Sequence, residues 1–200
     1  MELKRNLHSM NEAAGVIKKR LDESKRVIVA SHIRPDGDAI GSLLGLGLAL
    51  RDAGKSVQMV LVDGVSGSFR HLEGSELIVK EPSGEHDTFI TVDCADFKRV
   101  GKVFENFGGP DINIDHHKTN EGFGKLNLIE ADQVATSAIL TDYLPSWNLK
   151  ITRPIAEALL TGIVTDTLGY RNWNTTARSL QQYAILMDYG ANLPALYQIA

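Results

Sequence analysis

The sequence predicts an α/β fold: a mostly parallel central sheet flanked by helices, formed as one domain over residues 1–200. Two patterns predict it. Short apolar, β-branched runs alternate with segments of helical periodicity, the order that builds doubly wound sheets. Three of those runs also end at once in Asp and His, which is where open α/β sheets place their ligands.

Composition narrows the class. Apolar residues make up 43% and charged residues 23%, an ordinary soluble balance with enough apolar mass for one substantial core. The formal net charge of −4 gives no general basic surface, so long duplex nucleic acid is not an expected partner. Cys94, the sole cysteine, has no partner for an intramolecular disulfide, which suits a reducing, cytoplasmic setting. No stretch approaches the ~20 apolar residues of a membrane span. Residues 1–25 are too polar for the apolar segment of a signal peptide.

In chain order, Asn11 to Glu23 carries Ala14, Ile17 and Leu21 at helical spacing, with Lys and Arg on the opposite side. Val27, Ile28 and Val29 read as a strand buried on both faces. A shaped loop follows, and a Leu-rich helix starts near Ala39 and stops at Gly54. Strands are expected at Ser56 to Val62, in a short piece at Glu76 to Lys80, at Thr88 to Val92, at Asp111 to Asp115 and, as an edge, at Leu126 to Ile129. Helices are expected at Phe97 to Phe107, at Val134 to Leu144 with a break at Pro145, at Pro154 to Thr165 and at Thr175 to Tyr189.

The chemistry-bearing residues sit just past the strands. His32, Asp36 and Asp38 follow the first one, Asp93 follows TFITV, and Asp115, His116 and His117 close DINID. If these strands are parallel neighbours, their carboxyl ends converge, and Asp166 joins them from the end of a helix. Oxygen and imidazole donors of this mixture bind hard or borderline divalent ions. So many like charges in one cleft need compensation, and a pair of cations ~3.5–4 Å apart, sharing one carboxylate, supplies it. Each residue also has a bland alternative. Asp38 suits a helix cap. Asp93 suits a cap for the segment at Phe97, though Asp96 is better placed. His116 or His117 suits a surface His, and Asp166 suits a turn. The joint occurrence favours chemistry. Arg34 and Arg171 match phosphate geometry, Cys94 reads as apolar filler, and Trp147 and Trp173 read first as packing residues.

His32-x-x-x-Asp36-Gly37-Asp38, Asp93, Asp115-His116-His117 and Thr165-Asp166-Thr167 match, in order, the four motifs of the DHH phosphoesterase superfamily. The surrounding text, VDGVSGSFRHLEGSE and DTLGYRNWNTT, resembles its NrnA-like oligoribonucleases and 3′-phosphoadenosine-5′-phosphate phosphatases. The resemblance implies two divalent ions, Mn²⁺ first with Mg²⁺ or Co²⁺ as substitutes. His32 and Asp36 would hold one ion, Asp38, His116 and Asp166 the other, and Asp93 would bridge them. His117 would meet the scissile phosphate or leaving oxygen, and Asp115 would orient an imidazole. The implied substrate is a small nucleotide or a short single-stranded oligonucleotide, with a homodimer left open. Pyrophosphatase and cyclic-dinucleotide phosphodiesterase are the other enzyme readings. A family II pyrophosphatase would be expected to read Pro-Asp-Thr-Asp where Pro35-Asp36-Gly37-Asp38 stands.

Two departures from the family pattern are visible. Leu168 stands where Gly commonly follows the Asp-Thr pair, and Gly169 comes one residue later. The Gly-Gly-Gly-His motif of the NrnA-like second domain, which grips substrate, is not among the 200 residues. A non-catalytic metal- or nucleotide-binding module is therefore the rival from outside the enzymes.

Overall fold

Arg26–Ala30 (β1) is buried on both faces, with Val27 and Val29 packed to one side of the sheet and Ile28 and Ala30 to the other. The computed structural model of the protein describes residues 2–192. In it, β1 is flanked by Ser56–Val60 (β2) and Thr88–Val92 (β4), and the sheet continues outward to Ile78–Val79 (β3), Ile112–Asp115 (β5) and Leu126–Ile129 (β6). The order is β3-β2-β1-β4-β5-β6 and every pairing is parallel. The chain runs outward from β1 through β2 and β3, then returns to the other side of β1 at β4. That reversal makes a crevice at the carboxyl ends of β1 and β4, the ends from which His32 and Asp93 project.

The two faces of the sheet are covered unequally. Residues of Glu2–Glu23 (α1), Gly37–Asp52 (α2), Thr136–Ser146 (α3), Arg153–Asp166 (α4) and Ala177–Asp188 (α5) all contribute to the larger core, against Val29, Met59, Ile90 and Ile114 of the strands. The other face is a smaller cluster centred on Phe89, which stacks on Phe104 with ring centroids 4.8 Å apart. Its cover is two short 3₁₀ helices, Phe97–Val100 and Lys102–Phe107, where the sequence predicts one continuous helix. Gly101 divides them at φ 115°, a backbone angle that no helix continues through. The parallel sheet and its flanking helices are thus as predicted, but among the described residues α-helix covers only one side.

The first helix starts at Glu2 instead of Asn11, and the other α-helix boundaries move by a residue or two from the sequence reading. Pro145 lies inside the last turn of α3 instead of ending it in advance, and Pro154 sits in the first turn of α4.

One packing feature decides where α4 ends. Gly37, Gly41 and Gly45 recur every four residues along α2 and face α4. A Cβ at Gly41 would press on the carbonyl oxygen of Ala158 and come within 2.9 Å of the Gly162 amide nitrogen. Backbone therefore approaches backbone, and the last turn of α4, with Asp166 in it, is drawn over the start of α2. Substituting Gly41→Ala is expected to cost about 1–3 kcal/mol or more in denaturant unfolding, since backbone cannot yield as a side chain can. Gly15→Ala, in open space on α1, is expected to be neutral or stabilising by about 0.5–1 kcal/mol. Equal costs at the two sites would contradict the close-approach account.

Candidate metal centre

The site is built from the loops that leave the strands. After β1, buried His32 places Nδ1 2.9 Å from the Ile33 carbonyl oxygen. With the proton on Nδ1 donated there, Nε2 is an acceptor, 3.6 Å from Asp93 Oδ2 and 3.8 Å from Asp36 Oδ2. Asp36 caps α2, its Oδ1 accepting from the amides of Asp38 and Ala39, which leaves Oδ2 free toward His32. The capping alternative for Asp38 is thereby corrected. Asp38 reaches across the molecule, and its carboxylate accepts from the Thr136 amide at 2.6 Å and the Ser137 amide at 2.9 Å. These are the free donors at the start of α3, which has no side-chain cap of its own.

Asp93 is 1% exposed and sits at the centre. Its left-handed backbone, φ 51°, turns the carboxylate out of the pleat of β4. Its Oδ2 faces His32, while its Oδ1 lies 3.6 Å from His116 Nε2, 3.7 Å from His117 Nδ1 and 3.0 Å from the donating Thr136 hydroxyl. Asp96, not Asp93, caps the 3₁₀ helix at Phe97. His116 Nε2 also faces Asp166 Oδ2 at 3.3 Å and Asp38 Oδ2 at 3.8 Å. The donors thus form three overlapping groups: His32, Asp36 and Asp93; Asp38, His116 and Asp166; and Asp93, His116 and His117.

The electrostatics are those of an uncompensated negative cluster. Burial first, then the charges of Asp38, Asp36, Asp166 and Asp115, push the Asp93 carboxyl well above its ordinary range. Asp166 is pushed up to about 8 by burial and by Asp38 and Asp36. Asp115 is the exception. Burial works against its charge, but hydrogen bonds from His117 Nδ1 at 2.7 Å and Asn120 Nδ2 at 2.7 Å hold it below the usual carboxylate range. The same bond from His117 to Asp115 raises the imidazole's pKa. Five carboxylates and three imidazoles, with opposed faces on Asp93, fit a pair of divalent cations in donor chemistry.

Other residues named from the sequence have different partners. The exposed Arg34 is held by its amide, which donates to Asp63 Oδ2, and the exposed Arg171 by its Nε, which donates to the Leu168 carbonyl. Neither is brought onto the carboxylates by a hydrogen bond or ion pair. Cys94 is buried, its thiol pushed up to about 12 by burial, as an inert filler would be. Trp147 is core, donating to the Ala14 carbonyl, whereas Trp173 is 88% exposed and is not a core residue. Leu168, in the place where Gly is common, takes φ 49° and is followed by Gly169 and Tyr170 in the same left-handed region.

Sequence reasoning missed the supports. Thr136, Ser137 and the carbonyl of Gln133 hold Asp38, Asp93 and His116, and Asn120 ties Asp115 to the Cys94 carbonyl. The Thr-Ser pair at a helix start was the available signal, but it usually marks a local cap.

A parallel sheet with acids and imidazoles gathered at its switch point defines an α/β protein with a ligand site whose donors suit divalent cations. Residues 26–163 match the model of the DHH family, N-terminal domain, and the chain belongs to that family. It is 39% identical over 173 residues to the bifunctional oligoribonuclease and PAP phosphatase NrnA of Thermus thermophilus, covering 85% of this chain and 52% of that one. The chain therefore spans about half the length of the curated relatives it matches. An exopolyphosphatase-related protein from Bacteroides fragilis superposes with TM-score 0.87 at 22% identity, over 94% of this chain and 60% of that one. Exonuclease RecJ bound to manganese superposes with TM-score 0.51 at 16% identity, over 96% and 54%. Among the described residues, no helix is long and apolar enough to cross a membrane.

The raised carboxyls predict how the metal-free protein responds to pH. Asp93 and Asp166 keep protons in the fold that the unfolded chain has already lost, so stability falls as pH rises from the ordinary Asp range toward about 8. His117, raised in the fold, contributes stability that is full below its unfolded value and is lost as pH rises through its folded one, in the same direction. The melting temperature without metal should be several degrees lower at pH 8 than at pH 6, and excess Mn²⁺ should raise it more at pH 8. A metal-free melting temperature that rises over this range would contradict the electrostatics.

Proposed function

We propose that this chain carries the catalytic half of a two-metal phosphoesterase that hydrolyses short oligonucleotides or small phosphorylated nucleotides. The observation that carries the reading is Asp93, with one carboxylate oxygen toward His32 and the other toward His116. His32 and Asp36 would hold one divalent ion, Asp38, His116 and Asp166 the second, and Asp93 would join both; Mn²⁺ is the proposed ion, with Mg²⁺ or Co²⁺ as substitutes. Ions held there supply Lewis-acid charge for the phosphate oxygens and lower the pKa of water for attack on phosphorus.

The protein's own part is positional and acid–base. Asp115 accepts the Nδ1 proton of His117 and fixes the ring, so that Nε2 is the atom free to give a proton to the leaving oxygen. Asn120 holds Asp115 in place for that task. Burial of Asp93 and Asp38 keeps water from competing for the ligand oxygens. Arg34 and Arg171 remain candidates for outer phosphate contacts. The named activity of the Thermus thermophilus relative supports the substrate class, and the manganese in the RecJ structure supports the ion.

A second reading is a metal- or nucleotide-binding module that does not turn over alone. The half-length span of the relatives favours it. The test is Mn²⁺-dependent hydrolysis of 3′-phosphoadenosine-5′-phosphate, a short oligoribonucleotide, a cyclic dinucleotide and pyrophosphate, side by side. One of the first two is expected to be turned over, and His117→Ala should lower the rate by about 10²–10⁴-fold. Turnover of pyrophosphate or the cyclic dinucleotide alone would overturn the substrate class. Mn²⁺ binding with no turnover of any would establish the second reading.

A further inference from the structure

We propose that a partly buried polar clamp between α3 and α5 is a positioning device for His116, with Gln133 as the residue through which it acts. The inference rests on the metal-site reading but concerns residues outside the cluster. His116 Nδ1 lies 3.4 Å from the Gln133 carbonyl oxygen. When Nδ1 carries the proton and donates it there, Nε2 is left unprotonated and aimed at Asp38, Asp93 and Asp166. The ring orientation of His116 is therefore set by where the backbone of Gln133 is held.

Gln133 is 6% exposed and is held from behind. Its side-chain Nε2 donates to Asp142 Oδ2 at 3.0 Å, with Glu130 Oε2 at 3.4 Å, and its amide donates to the Glu130 carbonyl. Asp142 Oδ2 also accepts from two residues of α5, Gln182 Nε2 and Arg178 Nη2, each at 2.7 Å. Glu130, 5% exposed, accepts from the Tyr143 hydroxyl at 2.6 Å and faces Arg178 at 3.7 Å. Two carboxylates so close, one buried and one half-buried, need a cation and donors around them. The cation is Arg178.

The clamp is selective in what it can reach. The segment it fixes, residues 130–137, supplies the Gln133 carbonyl to His116 and the Thr136 and Ser137 amides to Asp38. It supplies only the Thr136 hydroxyl to Asp93. His32 and Asp36 are held by the Ile33 carbonyl, by Arg99 and by the start of α2, none of which belongs to that segment or to α5. Loosening α5 should therefore disturb the Asp38, His116 and Asp166 position and spare the His32 and Asp36 position. A helix without a residue in the cluster would set the affinity of one ion out of two.

The test compares Arg178→Ala, Gln182→Ala and Arg178→Lys with the unaltered chain in two measurements. Mn²⁺ titration calorimetry reads the affinity of each ion, and ¹⁵N NMR of the metal-free protein reads the protonation pattern of the His116 ring. The two Ala variants are expected to weaken one ion by about 10–100-fold, leave the other within experimental error, and blur the fixed Nδ1–H tautomer of His116. Arg178→Lys should recover part of both effects, because the cation returns without its fork of donors. Unchanged binding and tautomer in both Ala variants would overturn the proposal. So would equal weakening of both ions with a lowered melting temperature, which is what simple loss of structure gives. If the unaltered chain binds no Mn²⁺, the metal-site reading fails, and the metal-free tautomer alone then decides for or against the clamp.

Discussion

The structure turns on a carboxylate that has no business being charged where it is. Asp93 is buried at the end of a central strand, and Asp36, Asp38, Asp115 and Asp166 surround it. A protein core tolerates such a group only if it is protonated or if positive charge arrives from outside. Asp115 is held by His117 and Asn120, whereas burial and the neighbouring carboxylates raise the carboxyls of Asp93 and Asp166. The fold spends hydrogen bonds to hold this repulsive arrangement in shape without discharging it. The Thr136 hydroxyl and the first amides of α3 steady Asp93 and Asp38 while leaving oxygens of the cluster facing one another.

Distant features serve the same end. The glycines of α2 let α4 approach until Asp166 reaches the start of α2, and the topological reversal beside β1 brings the loops of β1, β4 and β5 to one edge. Chain segments separated by more than a hundred residues thus meet within a few ångströms, Asp38 and Asp166 among them. The site is a property of the packing as much as of the motifs.

Much of this was legible in the sequence, for physical reasons. A strand buried on both faces shows as a short apolar run, so β1, β2, β4 and β5 were readable, and acids placed just beyond β1, β4 and β5 marked the crevice. Those residues, with Asp166, do converge. What was not legible depends on contacts between distant parts of the chain. Phe97 to Phe107 has helical spacing, but Gly101 breaks it into two 3₁₀ pieces. Asp38 looked like a local cap because capping is normally local, yet its partners are the amides of Thr136 and Ser137. Gln133 acts on His116 through a backbone carbonyl, a group every residue carries and no motif records. Arg34 and Arg171 matched phosphate chemistry by type alone, and the structure gives them no contact with the cluster.

Diffraction from Mn²⁺-soaked crystals decides whether Asp93 serves the two proposed ions at once. Anomalous scattering should give two peaks about 3.5–4 Å apart, one against each oxygen of Asp93. The first should be shared with His32 and Asp36, the second with Asp38, His116 and Asp166. A single peak, or two peaks neither of which touches Asp93, would contradict the account.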